Sequence, residues 1–320
     1  MYSSAQFFRI DNFQLSSSEL DSLLEPFHFR EMTPSQETSV GWVSPYGEEL
    51  DEESLVRTLD GRHSLLFKIS EKKIRPAVIE EQVRIRFNEL KKSPMGPKRL
   101  DKKTKKELAE AIRLELIPKE PPVSRTISAY IDPENKYFVV EGSNSKAAES
   151  IITMLKRAFE AGGHSIGINP IRTIDSVTAV ITSWVLDDSV VPAIVELGSK
   201  CTLSGPEGQV VKYDRHELTE EKLKKYVSED SMDVAELQIS FDELISFKLS
   251  GDLSIRGVKT LDGSNSRFNS SDYDDNWEAD FVIMAGVFES LIPNIIEWFG
   301  GEDMQQDSLT GATLEDGSEE

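Results

Sequence analysis

A single cysteine, Cys201, stands in 320 residues. One thiol cannot close an intrachain disulfide or supply the thiolate cluster of a structural zinc site. Histidine is nearly as scarce: His28, His63, His164 and His216 are the full set. No two of them share metal-ligand spacing with a cysteine or carboxylate. GxGxxG, GxxxxGK[ST] and HExxH are all absent, and Gly205 and Gly208 in LSGPEGQ frame a turn rather than a phosphate loop. Uncharged apolar runs of about 18 residues are missing too. Even FVIMAGVFESLIPNIIEWF is broken by Glu289, Pro293 and Glu297. The first residues, MYSSAQFFRIDNF, lack the basic start and apolar stretch of a secretory leader. These absences offer no enzyme mechanism and no cofactor, and they predict a cytoplasmic protein without a membrane segment. His63, beside a strand, reads as packed or surface-exposed rather than catalytic, and Cys201 as a small buried hydrophobe.

Basic residues are also in deficit: 36 Lys and Arg face 57 Asp and Glu, for a net charge of −21. They are concentrated, however. Residues 61–125 hold 18 basic and nine acidic side chains, a local +9. Lys91, Lys92, Lys98, Arg99, Lys102, Lys103, Lys105 and Lys106 fall within sixteen residues. The chain's ends are the reverse, with three basic against twelve acidic side chains in residues 1–60 and one against fifteen in 261–320. Residues 304–320 read as an acidic, disordered tail. Bulk charge repels nucleic acid, whereas the basic segment attracts it if the fold gathers those side chains on one surface. The pattern alone leaves three uses open: phosphate-backbone binding, a solvated lysine-rich surface, or pairing with an acidic protein.

The chain punctuates itself into alternating strands and helices. FFRIDNFQL reads as a strand, followed by a short helix capped from the Ser16–Ser18 run and a turn-rich GWVSPYG. HSLLFKIS alternates, with Leu65, Phe67 and Ile69 on one face. Pro76 suits a first helical turn, and Ile79, Val83, Phe87 and Leu90 continue at helical spacing until Pro94. Asp101 caps a second helix with the stripe Leu108, Ala111, Ile112 and Leu116. Its first turns carry four lysines that oppose the helix dipole, a conflict that a bound anion would relieve. TISAYI and KYFVVE flank a DPEN turn as a hairpin. NSKAAESIITMLKRAFEAGG is a helix stopped by Gly162. SVTAVITSWVL is a helix capped by Ser176, and LTEEKLKKYV is one capped by Thr219. Strands lie around VVPAIVELGSKCTL, GQVVKYD, DVAELQISF and ISFKLSG. The last element is an apolar helix kinked or divided at Pro293 and ended by Gly300 and Gly301. No regular βαβ period occurs, so the class is α+β. Asp272, Asp274 and Asp275 read as a solvated loop and Asp280 as a helix cap. Charge matching to a protein and a metal site are the other uses open to that acidic cluster.

Several ordered blocks carry a family likeness: GWVSPYG at 41–47, KISEKKIRPAVI at 68–79, LIPKEPPVSRTISAYID at 116–132, AESIITMLKRAF at 148–159 and EADFVIMAGVFESLIPNIIEWFGGE at 278–302. In these the chain resembles the bacterial recombination-associated RdgC family, from FFRI to about residue 302. That resemblance implies a non-enzymatic DNA-binding protein whose multi-lobed, horseshoe-like α+β subunits close into a ring-shaped homodimer. Double-stranded DNA would then pass through a basic hole without sequence preference and restrain RecA-dependent recombination, in the cytoplasm and on the nucleoid. Residues 1–303 would be the family region, with 71–125 its DNA-facing segment. The side chains expected on DNA are Arg75, Arg84, Arg86, Lys98, Arg99, Lys102, Lys103, Lys105, Lys106 and Lys212. Pro121 stands where the family has an aromatic at a small dimer contact, so Pro121, Pro122 and Val123 would form that contact here. The apolar segment Phe281–Phe299 would form or support the larger one. A different reading makes the chain an acidic interaction factor that engages a recombination or nuclease partner without strong DNA binding.

Overall fold

A computed structural model describes residues 2–46, 54–93, 99–214, 221–261 and 273–303, apart from the side chains of 221–222 and 273–276. The fold is α+β. Two units divide the chain: residues 1–15, 58–64 and 129–320 form the larger, and 16–57 and 65–128 the smaller.

The larger unit is organised on β1 (Ser4–Asp11), whose SAQFFRID is buried at five of eight positions. A strand covered on both faces needs apolar residues in succession rather than in alternation. β1 pairs antiparallel with β6 (Tyr137–Glu141), with Phe7 opposite Val139. It also pairs with β7 (Gly167–Pro170) and β12 (Ile255–Thr260). From β12 the order continues through β11 (Ile245–Ser250), β10 (Asp233–Phe241) and β8 (Val195–Ser204) to β9 (Val210–Asp214). β5 (Val123–Asp132) joins β6 through the expected DPEN hairpin. There the Asn135 N–H donates to Asp132 Oδ1 at 3.0 Å. Helices α4 (Ser145–Ala161), α5 (Val177–Leu186) and α6 (Glu221–Ser228) match their sequence expectations. Asn144 and Ser176 cap α4 and α5, while Thr219 lies outside the described residues.

Helix α7 (Tyr273–Trp298) is the unit's central pillar. Phe281, Met284, Ala285, Phe288, Leu291, Ile292 and Ile295 are buried against β-sheet residues such as Phe7, Val139, Leu237 and Phe247. Tyr2 and Phe7 meet the Phe288 ring edge-on at 6.0 and 5.4 Å. Length and composition would allow α7 to cross a membrane. Its buried side chains pack against the rest of the larger unit and belong to its core. Val282 and Ile283 are its exposed large apolar side chains. Expectations change here. The helix is not divided at Pro293, which removes one backbone donor, and Asn294 Nδ2 donates to the Ser290 carbonyl at 2.9 Å beside it. Asp274 and Asp275 fall inside the helix rather than in a loop, and Asp280 lies in its interior rather than at its cap. The helix begins at Tyr273, before the apolar stretch, and one turn on Trp277 stacks on Phe281 at 5.6 Å. Asp272 and the tail 304–320 lie outside the described residues.

Arg62, in the larger unit, is buried and meets three carboxylates. Nε lies 3.1 Å from Asp132, Nη1 2.8 Å from Asp60, and Nη2 reaches Glu289 of α7. Burial acts to lower its pKa, but these carboxylates outweigh burial and raise it. His63, which the sequence left as packed or exposed, is buried, with Nδ1 2.9 Å from Thr58 Oγ1. Cys201 is buried as well, and burial pushes its thiol up to about 11.

In the smaller unit, β2 (Thr38–Val43) pairs antiparallel with β4 (Arg62–Glu71). Leu65, Phe67 and Ile69 face inward as their alternation predicts, and Trp42 meets Phe67 at 5.0 Å. The block GWVSPYG is therefore partly strand, not all turn. Gly41 is required there because a Cβ would lie 2.5 Å from the Phe29 Cα. That close approach lets the Phe29 N–H donate to the Trp42 carbonyl at 2.8 Å. α1 (Ser17–Leu24) carries the expected Ser16 cap in a full capping box with Glu19.

Candidate nucleic-acid interface

Two helices of the smaller unit hold most of the predicted DNA side chains: α2 (Pro76–Leu90) and α3 (Lys102–Leu116). Pro76 occupies the first turn of α2, and Asp101 caps α3 by accepting from the Thr104 N–H at 2.7 Å. That bond, above all, holds the Asp101 carboxyl below the usual carboxylate range. Val83 is the buried residue of α2 and Ile112 of α3; Ile79, Phe87, Leu108 and Leu116 are half-buried. Leu90 and Ala111, expected in the apolar stripes, are exposed. Each 15-residue helix thus anchors through one narrow line and leaves most of its surface to water.

Arg75, Arg84, Arg99, Lys102 and Lys106 are exposed, and none has a carboxylate partner among the described residues. Lys91 and Lys92, counted in the basic run but not singled out, are equally free. Arg86 and Lys105 are tied across the helix pair to Glu115 at 2.8 Å and Glu80 at 3.3 Å. Lys103 sits 3.9 Å from Glu107 one turn on, a weak exposed pair. Lys98 lies outside the described residues. Lys212 is exposed on β9 of the larger unit. Pro121, Pro122 and Val123 are exposed at the start of β5, Val123 at 67%.

A cavity of about 380 Å³ opens between the start of α2 and the end of α3, lined by Lys72, Lys73, Arg75, Ile79, Arg113 and Ile117 among others. Its cations are not equivalent. Lys72 is buried and donates to the Pro34 carbonyl at 2.7 Å. Lys73 pairs with Glu71 at 2.5 Å. Arg113 grips Glu37 with Nε and Nη2, holding the Glu37 carboxyl low and raising its own pKa. Lys72, Lys73 and Arg113 are thus engaged by this chain's own groups whereas Arg75 is not, which their count in the sequence could not reveal. Among the described residues, no three His, Cys, Asp or Glu side chains are grouped to hold a metal ion.

The comparisons with known proteins agree over nearly the whole chain. A family model described as "Putative exonuclease, RdgC" matches residues 1–302. The chain is 30% identical over 292 residues to the recombination-associated protein RdgC of Cupriavidus pinatubonensis, covering 90% of this chain and 93% of that one. Identity to a protein of the same name is 26% over 295 residues in Tolumonas auensis, covering 91% of this chain and 94% of the relative. In Psychromonas ingrahamii it is 27% over 291 residues, covering 88% and 92%.

Proposed function

From the premise that the chain belongs to the RdgC family, which is linked by name to recombination, we propose that it binds double-stranded DNA without sequence preference as a ring-forming homodimer. Occupying the duplex in this way would modulate RecA-dependent recombination and associate the protein with the nucleoid. The observation that carries the reading is the set of exposed cations on α2, α3 and their flanks that have no carboxylate partner among the described residues, in a chain of net charge −21. Lysines without carboxylate partners are solvated by mobile counterions, as are DNA phosphates. Joining the two releases those ions and drives binding whatever the base sequence. Four lysines at the start of α3 also oppose its dipole, and a phosphate there would remove the conflict. No catalytic residue and no cofactor enter this reading.

The test is a titration of random-sequence duplex at increasing salt. If Arg75, Arg84, Arg99, Lys102 and Lys106 each meet a phosphate, log affinity should fall with log salt at a slope of about −4 to −5 per subunit. No binding at low ionic strength would overturn the reading, and a basic protein partner that co-purifies after nuclease treatment would favour the interaction-factor alternative. The same mixtures with Mg²⁺ or Mn²⁺ should leave the duplex intact; shortening from an end would favour the exonuclease of the family description. Ring closure needs two self-complementary contacts. Pro121–Val123 form the smaller one in this proposal, so Pro122→Asp with Val123→Asp should keep the dimer yet weaken retention on circular DNA. A variant that becomes monomeric, or that retains circles as the parent does, would contradict the two-contact ring.

A further inference from the structure

Three carboxylates reach basic side chains of α2 and α3 from elsewhere in the sequence, and they occupy those cations in different ways. Glu37 takes Arg113 through Nε and Nη2, at 3.0 and 2.5 Å. Those atoms form the flat edge by which a guanidinium grips an oxyanion with two parallel hydrogen bonds, so the edge of Arg113 is filled. Glu80 takes a single contact from Lys105 Nζ at 3.3 Å. Glu115 does something else: both of its oxygens lie 2.8 Å from one atom, Arg86 Nη1. The Nε–H and Nη2 hydrogens of Arg86 have no partner among the described residues. The Arg86 side chain is 44% exposed and that of Glu115 56%.

Resting on the duplex-binding reading, we propose that Glu115 is a positioning residue, which holds Arg86 by Nη1 so that its free Nε–Nη2 edge takes the two non-bridging oxygens of one backbone phosphate. Arginine presents five donors in a rigid fork, and anchoring one nitrogen leaves the opposite edge both charged and oriented. A long side chain already fixed in place loses less freedom when the phosphate arrives. Because carboxylate and phosphate use different donors, the two anions can be held together. Direct competition for one edge would instead require the arrangement seen at Arg113, where the acid fills it. The geometry therefore separates two arginines of one helix pair: Arg86 is a bidentate phosphate ligand, and Arg113 is a structural tie.

Binding of the full chain to a fluorescent random-sequence duplex tests this through charge-conserving variants. Arg86→Lys keeps the charge but has no edge, and should weaken binding about fivefold with the salt slope unchanged. Glu115→Asp keeps the charge but shortens the reach, and should weaken binding about threefold in the parent while adding no loss to Arg86→Lys. Arg113→Lys should bind within about twofold of the parent. Both members of the pair are exposed, so neither change disturbs the core, and rescue of the Glu115→Ala loss by Glu115→Gln would support hydrogen-bonded positioning. The proposal is overturned if Glu115→Asp binds as tightly as the parent or tighter, which is the mark of competition. It is equally overturned if the Glu115→Asp loss persists without Arg86, or if Arg113→Lys costs as much as Arg86→Lys. A parent that fails to bind duplex at all removes the underlying reading together with it, and is distinguished by its parent-level failure.

Discussion

Helix α7 buries Phe281, Met284, Ala285, Phe288, Leu291, Ile292 and Ile295 in the larger unit, while α2 and α3 of the smaller unit bury one side chain each, Val83 and Ile112. The treatment of charge differs in the same sense. Beside α7, Arg62 is surrounded by Asp132, Asp60 and Glu289. On α2, α3 and their flanks, Arg75, Arg84, Arg99, Lys102 and Lys106 have no carboxylate partner among the described residues. A protein with 57 acidic residues could have neutralised these five cations many times over. Stability therefore rests on one set of helices and the unmatched positive charge on another. Substitutions should be able to injure either property while sparing the other.

The sharpest separation is expected at Phe288, which is fully buried and edge-on to Tyr2 and Phe7. Phe288→Ala removes a large side chain from a close-packed core and should cost about 3–5 kcal/mol of stability. Denaturant unfolding would measure it, and the fraction still folded should bind duplex as the parent does. A cost under about 1 kcal/mol would mean that the core around α7 closes over the gap, and the contrast between the two regions would lose its basis.

Much of this contrast was legible in the sequence where local chemistry sufficed. Pro76 and Asp101 mark the starts of α2 and α3 because first-turn geometry and capping are local. Alternation in HSLLFKIS placed Leu65, Phe67 and Ile69 correctly for the same reason. Four short strands were not legible: β2, β3 (Val56–Leu59), β7 and β12. In IRGVKT of β12 the pattern is broken by exposed Arg256 and by Gly257 at φ +62°, and the strand exists because β1 and β11 pair with it. The division into two units was equally hidden. Its boundaries at 64/65 and 128/129 fall inside β4 and β5, so no Pro- or Gly-rich linker marks them. At the candidate interface, the residue types were readable but their availability was not. Glu115 and Glu80 lie 29 and 25 positions from Arg86 and Lys105, and only packing of the two helices brings them together.

A smaller but complementary effect should follow from neutralising the first turns of α3. Replacing Lys102, Lys103, Lys105 and Lys106 with glutamine should lower duplex affinity about 100-fold or more near 0.1 M salt, because several counterions are no longer released. Unfolding midpoints should not fall. The lysines oppose the α3 dipole by a few tenths of a kcal/mol each, and their exposed pairs with Glu107 and Glu80 contribute little. Loss of stability without loss of binding would reverse the assignment of roles between α3 and α7.

The smallest expected effect concerns pH and returns to the larger unit. His63 is buried, with Nδ1 2.9 Å from Thr58 Oγ1 and its ring centroid 5.7 Å from that of Phe13. Burial disfavours the imidazolium and lowers its pKa below the ordinary 6.5. The unfolded chain, with an ordinary histidine, takes up a proton as pH falls through about 6.5, while the folded chain resists until a lower pH. More protons are then bound by the unfolded state, so stability falls with falling pH in that window and is complete above it. His63→Gln can still hydrogen-bond Thr58 but does not titrate, so its thermal midpoint should decline less than the parent's between pH 7.5 and about 5. Duplex affinity of the folded protein, which in the proposal rests on lysines and arginines of the smaller unit, should be the same for both proteins at each pH. Parallel stability curves for parent and variant would show that His63 takes its proton as readily folded as unfolded, and would remove this group from the larger unit's share of the contrast.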